Sequence, residues 1–327
     1  MEPFLLPITI PHPSEKIRYQ QKILLTGSCF TEHIGNYLKD VKFDLLQNPN
    51  GILFDPLSVA EGLVSYIEGT QYGTTDLFFL NELWQSWHHH GVFSDTDQQG
   101  CLDRINESQL KARFFLKSAD WLIITLGSAF SYSLKKEQIA VANCHRAPAD
   151  WFSKKLLSVE EMLSAFDETL YRLLEFNPSL KIVFTVSPVR HIRDGVIENN
   201  RSKARLIEVV HHFANKFDRI YYFPAYELVI DVLRDYRFYD KDLVHPNYQA
   251  TGFVLENFMQ SYVEPESARI AEEIRKVQTA FRHKALHPGT AAHRRFLNEQ
   301  LLKTKELEEK YPFLDFKQEI AHFSSGY

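Results

Sequence analysis

Two periods alternate along this chain. Ile23–Thr26, Trp121–Leu126, Lys181–Val186 and Ile220–Phe223 are short, nearly continuous apolar or β-branched runs, the pattern of strands buried on both faces. Residues 41–46 predict a further strand, stopped by the turn signal Asn48-Pro49-Asn50-Gly51. Between these runs the spacing becomes helical. Phe30, Ile34, Tyr37 and Leu38 share one face, as do Leu57, Ala60, Val64 and Ile67 within 56–68. A helix is predicted over 106–117. Another opens at the capping box Ser158-x-x-Glu161, buries Met162, Phe166, Leu170, Leu173 and Leu174, and stops at Asn177-Pro178. Further helices are predicted over 200–217 and 226–235 and after an Asn247 cap, where Phe253, Val254 and Phe258 point inward. Strands alternating with helices predict a parallel sheet covered on both faces, a three-layer α/β/α domain of flavodoxin-like type. Beyond Pro265 the apolar stripe narrows to Ile270, Ile274, Val277 and Phe281 on a charged helix. His287-Pro288-Gly289 breaks it before a second charged helix over 290–310. The expected division is a domain of residues 1–263 and a helical extension of residues 264–327, packed on the core or mediating a homodimer.

Ser28 falls where the first strand hands over to the first helix. In α/β sheets such turns lie at the carboxyl ends of strands, where ligands bind. The helix N-terminus supplies free N–H groups and a partial positive charge. A hydroxyl there could attack an acyl carbon, with its own N–H holding the developing oxyanion. The plainer alternative is a serine that only caps a helix. Cys29 is a rival nucleophile, because a thiolate is the stronger one and a helix N-terminus lowers a thiol pKa. If Cys29 begins the helix, its side chain is expected to point away and pack as a small hydrophobe, leaving the role to Ser28. The second half of the constellation is Asp242-Leu243-Val244-His245. Asp242 can reach back to the His245 ring, fix its tautomer and stabilise the imidazolium. The alternative there is a capping Asp beside a surface His.

Gly27-Ser28-Cys29-Phe30 resembles the signature of the GSCFA family, which is related to the SGNH (GDSL-like) hydrolases. Those enzymes are similar in placing a serine after the first strand and an Asp-x-x-His near the domain's end. The resemblance runs from about Ile23 to Tyr262. It implies a serine-dependent acyl-ester hydrolase, of esterase or deacetylase type, with Ser28, His245 and Asp242 as triad. The same triad could serve an O-acyltransferase. A non-catalytic ligand-binding protein retaining the fold is the alternative outside enzymology. The resemblance also implies that Gly51 donates its N–H to the oxyanion hole; a simple turn glycine is the other reading. Where SGNH enzymes carry Gly-x-Asn-Asp, this chain has Gly127-Ser128-Ala129-Phe130, so the Asn is missing. Asn143, in Ala142-Asn143-Cys144-His145, is the nearest amide that could replace it.

Functional residues concentrate on loops at strand ends. Ser128, His145, Arg190 and His191 are therefore candidate substrate contacts, the last two toward an anionic or polar group. Ordinary loop hydrogen bonding and a loop salt bridge are the plain alternatives. Leu77–Phe93 is rich in aromatic residues and holds His88, His89 and His90. On a strand, His88 and His90 would share a face. Zinc needs three or four ligands, and only Asp95 and Asp97 stand near. The resemblance implies a substrate-facing wall, because similar Trp/His segments occur in GSCFA-like sequences; a surface hairpin is the alternative.

Composition narrows the classes. With 44% hydrophobic residues, 327 residues can bury a full core. A net charge of -5 argues against a dedicated nucleic-acid binder. No run approaches a membrane span, and the proline-cut start does not read as a signal peptide. Three cysteines without metal spacing suit a reduced, cytoplasmic protein. The expected partner is a small-molecule or glycan ester, with no metal or organic cofactor required.

Overall fold

The structure is a computed structural model that describes residues 5–325. At its centre lie β1 (Lys22–Gly27), β2 (Asp44–Gln47), β5 (Trp121–Leu126), β9 (Lys181–Val186) and β10 (Ile220–Tyr222). They form one parallel sheet in the order β10-β9-β5-β1-β2. Numbered by sequence within the sheet this is 2-1-3-4-5, the flavodoxin-like order. Successive residues alternate between two apolar layers. Ile23, Leu25, Trp121, Ile123 and Val183 face one; Leu24, Leu122, Ile124, Ile182 and Phe184 face the other. Both faces being covered is why these runs read as continuously apolar.

α1 (Phe30–Asp40) covers the first face together with helices from the end of the chain. α2 (Pro56–Glu68), α4 (Val159–Phe176) and α5 (Val196–Lys216) cover the second. α2 starts on Asp55, whose carboxylate accepts from the Ser58 N–H at 3.1 Å, and ends at Gly69 in the left-handed conformation. The Ser158–Glu161 capping box is formed in both directions. α3 (Gln98–Lys117) begins eight residues before the predicted helix. Asp97 caps it through the Gly100 N–H at 2.7 Å, and Cys101, Leu102 and Ile105 are buried under the neighbouring hairpin. That hairpin is β3 (Phe78–Leu80) with β4 (Leu83–Gln85).

The pattern also concealed a second sheet. β6 (Phe130–Leu134), β7 (Ala140–Val141) and β8 (Phe152–Leu156) form an antiparallel sheet that springs from the carboxyl end of β5. Phe130, Tyr132 and Leu134 do alternate with serines, as one sheet face requires. After β10, α6 (Ala225–Glu227) continues as a π turn over Leu228–Leu233. α7 (Tyr248–Tyr262) is capped by Asn247, whose Oδ1 accepts from the Gln249 and Ala250 N–H groups. α8 (Pro265–Phe281), α9 (Ala291–Lys310) and α10 (Lys317–Ser325) follow. Ile270, Ala271 and Ile274 of α8 join the apolar layer that contains Ile23 and Trp121, so the extension shares its core with the sheet. No described helix is long and apolar enough to cross a membrane.

Candidate active site

The sheet order reverses between β1 and β5, so their carboxyl ends flank the crevice of the fold. Gly27-Ser28-Cys29 leaves β1 there and Gly127-Ser128 leaves β5. Gly27 has φ +138°, and a Cβ on it would meet the Thr125 carbonyl oxygen at 2.2 Å. Only glycine lets the two strands close at this level and turns the chain out of the sheet.

The next two residues face opposite ways. Ser28 is 2% exposed, and its Oγ is buried without a hydrogen-bond partner. Its N–H donates to the Thr125 carbonyl at 3.0 Å. Neither its hydroxyl nor its N–H opens onto the cleft that Cys29 lines. Cys29 instead lines an open cleft of about 410 Å3 together with Asp242, His245, Ser128, Arg190 and His191. Cys29 does pack partly against the apolar core, as expected of a small hydrophobe, but it also reaches the cleft that holds His245. Burial and then Glu32 push the Cys29 thiol up, while Lys203 and the N–H groups of Cys29 and Phe30 pull it back. Those two N–H groups lie at the sulfur, at the start of α1, the position where a helix holds a negative charge.

Asp242 and His245 meet in one turn. His245 Nδ1 stands 2.6 Å from Asp242 Oδ2, while Asp242 Oδ1 accepts from the Val244 and His245 N–H groups. Leu243 between them takes φ +59°, a strained setting for a leucine. The hydrogen bond from His245, then those two N–H groups, hold the Asp242 carboxyl down at about 2. With the proton on Nδ1, the other ring nitrogen is an acceptor. Both side chains are about half exposed, at 48% and 49%. The Arg190 N–H anchors the turn through the Val244 carbonyl at 3.2 Å.

Around them, the His191 ring lies tilted at 36° to Phe54, 5.5 Å between centroids. Burial, then Lys203 and other nearby cations and His245, push its imidazole down to about 4, so it is neutral at neutral pH. Ser128 Oγ accepts from the Phe130 N–H and shares a hydrogen bond with Ser202. The Arg190 guanidinium lies 4.4 Å over Tyr239 and 5.0 Å over Tyr236.

The remaining expected residues lie elsewhere. Gly51 donates its N–H to the Asn48 carbonyl at 2.7 Å, so it is not an available oxyanion donor. Its φ of +75° and a 2.2 Å approach of His90 Cβ to any Cβ there show why glycine is needed: His90 packs on it. His90 lines a different hollow, beside Asn81 and Gln85. His88 packs 6.1 Å from Tyr72 and is absent from the cleft wall. His88 sits in a turn after the hairpin and His90 caps a short 3-10 helix over Gly91–Phe93, neither on a strand, so the shared face does not arise. Asn143 and His145 line a neighbouring groove; Asn143 Oδ1 is taken by the His145 N–H at 2.8 Å. Asn143 thus lines the adjoining groove rather than the wall that holds Cys29. Among the described residues no cluster of His, Cys, Asp and Glu could hold a metal ion.

One residue escaped the sequence reading. Lys203, 1% exposed, donates to the Gly127 and Ser187 carbonyls at 2.5 and 2.6 Å, tying the ends of β5 and β9 together. Among the described residues it has no carboxylate partner. Burial pushes its ammonium down to about 7, with Cys29 the one charge that raises it.

A parallel α/β domain with a cleft at its switch point defines the class. By sequence the chain belongs to the GSCFA family, whose profile matches residues 22–258, and the GSCFA domain protein, C-terminal domain, matches residues 274–326. No curated protein matches it. Similar solved structures include a carbohydrate esterase family 3 protein from Talaromyces cellulolyticus. It is 8% identical with a TM-score of 0.37, over 79% of this chain and 99% of that one. An acetyl xylan esterase, Est2A, from the rumen bacterium Butyrivibrio proteoclasticus is 11% identical with a TM-score of 0.38; the match covers 74% of this chain and 63% of that one.

Proposed function

We propose that this protein is an acyl-ester hydrolase in which Cys29, not Ser28, is the nucleophile, with His245 as general base and Asp242 as its orienting carboxylate. The observation that carries the reading is that Cys29 shares a cleft wall with the hydrogen-bonded Asp242–His245 pair, while the Ser28 hydroxyl is buried. A thiol pushed up by burial is protonated at rest and needs a base to take its proton.

In the proposed reaction His245 removes the thiol proton as sulfur attacks the ester carbonyl carbon. The N–H groups of Cys29 and Phe30 donate to the oxyanion, and the Lys203 ammonium offsets the growing negative charge. The tetrahedral adduct collapses, the C–O bond breaks, and His245 returns the proton to the departing alcohol. Water, deprotonated by His245, then attacks the thioester, releasing the carboxylic acid and the thiol. The substrate is a small-molecule or glycan ester, and residues 1–263 carry the chemistry.

Turnover of p-nitrophenyl acetate tests this. Cys29→Ala should abolish it, Ser28→Ala should keep it, and iodoacetamide should inactivate the wild-type protein unless substrate protects. Loss in Ser28→Ala with full activity in Cys29→Ala would return the role to the serine. Acyl transfer to an added alcohol in preference to water would make the protein an O-acyltransferase on the same site.

A further inference from the structure

The cleft at Cys29 continues into the neighbouring groove, a hollow of about 590 Å3. Phe54, Tyr132, Lys154 and Arg193 line both. The groove's floor is apolar, with Val141, Ala142 and Phe152, and its far wall carries Arg146. The charges along this path are uneven. In the cleft, each acid is already paired: Asp194 with Lys154, and Asp242 with His245. Among the described residues, no carboxylate lines the groove beyond. Arg146 and Arg193 both face it, and neither forms an ion pair or a side-chain hydrogen bond among the described residues. In a chain of net charge -5, this is a local cationic excess at the entrance to a low-dielectric wall, where its field is strongest.

The backbone is bent to put Arg146 there. His145 and Arg146 are consecutive non-glycine residues in the left-handed region, with φ of +48° and +59°. Such strain persists only where its surroundings hold it. Here His145 Nε2 binds the Ser86 carbonyl at 2.8 Å and the Ala147 N–H binds the Cys144 carbonyl at 2.8 Å. Arg190, the cation that the sequence suggested for an anion, is occupied by the Tyr236 and Tyr239 rings.

We propose that Arg146 and Arg193 form an oxyanion-binding subsite, so that the ester reaching Cys29 is amphipathic, with an apolar body along Phe54 and Phe152 and a carboxylate or phosphate at its far end. Two guanidinium forks suit either anion, since each can donate two parallel hydrogen bonds. The proposal rests on the ester-hydrolase reading for what happens at Cys29, but the subsite itself is testable without turnover.

Calorimetric titration of Cys29→Ala protein with benzoate and with phenyl phosphate reads the subsite alone. Binding of at least one is expected, weakening as salt rises, with benzyl alcohol as the uncharged control. Arg146→Gln with Arg193→Gln should weaken it about tenfold or more, the order expected when charged hydrogen bonds are removed. Arg→Lys at both positions should restore part of it. The tighter of the two ligands identifies the anion. In the wild-type protein, KM for mono-4-nitrophenyl glutarate or 4-acetoxybenzoate should lie below that for the neutral acetate, and the double Gln variant should collapse that preference. Anion binding that survives in the double Gln variant, or absent binding in the parent, overturns the subsite. Anion binding that depends on both arginines in a protein that cleaves no ester keeps the subsite and overturns the hydrolase reading instead.

Discussion

The floor and the rim of the cleft are built on opposite terms. In the floor, Gly27, Ser28, Ser128 and Lys203 are enclosed, and backbone groups at the ends of β1, β5 and β9 meet them. Ionisation there follows burial: the lysine falls to about 7. At the rim, Asp242 and His245 stand half in solvent, and hydrogen bonds inside one turn, rather than burial, hold the carboxyl down. The difference separates two jobs. On the proposed reading, the floor fixes where the nucleophile sits, and the rim supplies its base in contact with water.

That division predicts which variants cost the fold and which cost the chemistry. Gly27→Ala should have the largest effect on stability, about 3 kcal/mol or more, because its Cβ would strike the Thr125 carbonyl at an unfavourable φ. Denaturant titration would check this, and near-native stability would show that the sheet end is looser than drawn. His245→Gln should do the reverse. Its melting temperature should stay within a few degrees, while kcat/KM for an ester falls by about a hundredfold to ten-thousandfold, the range for loss of a general base. A matching loss of stability would place His245 with the floor. Asp242→Asn should act in the same direction with a smaller fall, since this carboxylate is exposed and its turn N–H groups can still find an amide oxygen.

Lys203→Met sharpens the floor side. It leaves the Gly127 and Ser187 carbonyls without a donor, at about 1–3 kcal/mol for each unsatisfied group, offset by no longer burying an ammonium. The pH dependence separates the two terms. The folded lysine titrates near 7 and the unfolded one near the usual 10.5, so between these values the unfolded chain holds more protons. Wild-type stability should therefore rise relative to Lys203→Met as pH goes from about 7 toward 10, and the difference should be flat below 7. Urea titrations at pH 6.5 and 9 measure it; a flat difference throughout would mean that the lysine keeps its proton. The smallest effect belongs to Ser28→Ala. Removing a buried, unpartnered hydroxyl should be neutral or stabilising by up to about 1 kcal/mol.

The strands, most helices and the caps were legible because period and punctuation carry them. Trp121–Leu126 and Pro56–Glu68 fall where the pattern places them. A turn has no period, so nothing in Gly27-Ser28-Cys29 says which of two adjacent side chains faces the crevice; the strand register with Thr125 decides it. Lys203 sits among Arg201, Ser202 and Arg205 and looks like part of a solvated face. Its burial comes from where α5 crosses the strand ends, a tertiary fact. The start of α3 was hidden because Gln98, Gln99 and Gly100 are not apolar, and Cys101, Leu102 and Ile105 bury against a hairpin rather than the main sheet; its Asp97 cap is the other local sign. Arg146 carried no signal either, since its direction depends on a left-handed backbone at a residue type that rarely adopts one.

The antiparallel sheet β6–β8 and the loop through Arg146 lie outside the five-stranded framework, joined to it at the end of β5. The thiol and the imidazole turn do not belong to that appendage. A library randomised only at the exposed Arg146 and half-buried Tyr132, with the buried Val141 and Phe152 kept in place, would thus vary the groove lining without touching the five-stranded sheet. For protein engineering, this chain is a scaffold whose interchangeable part is already marked off from its permanent one.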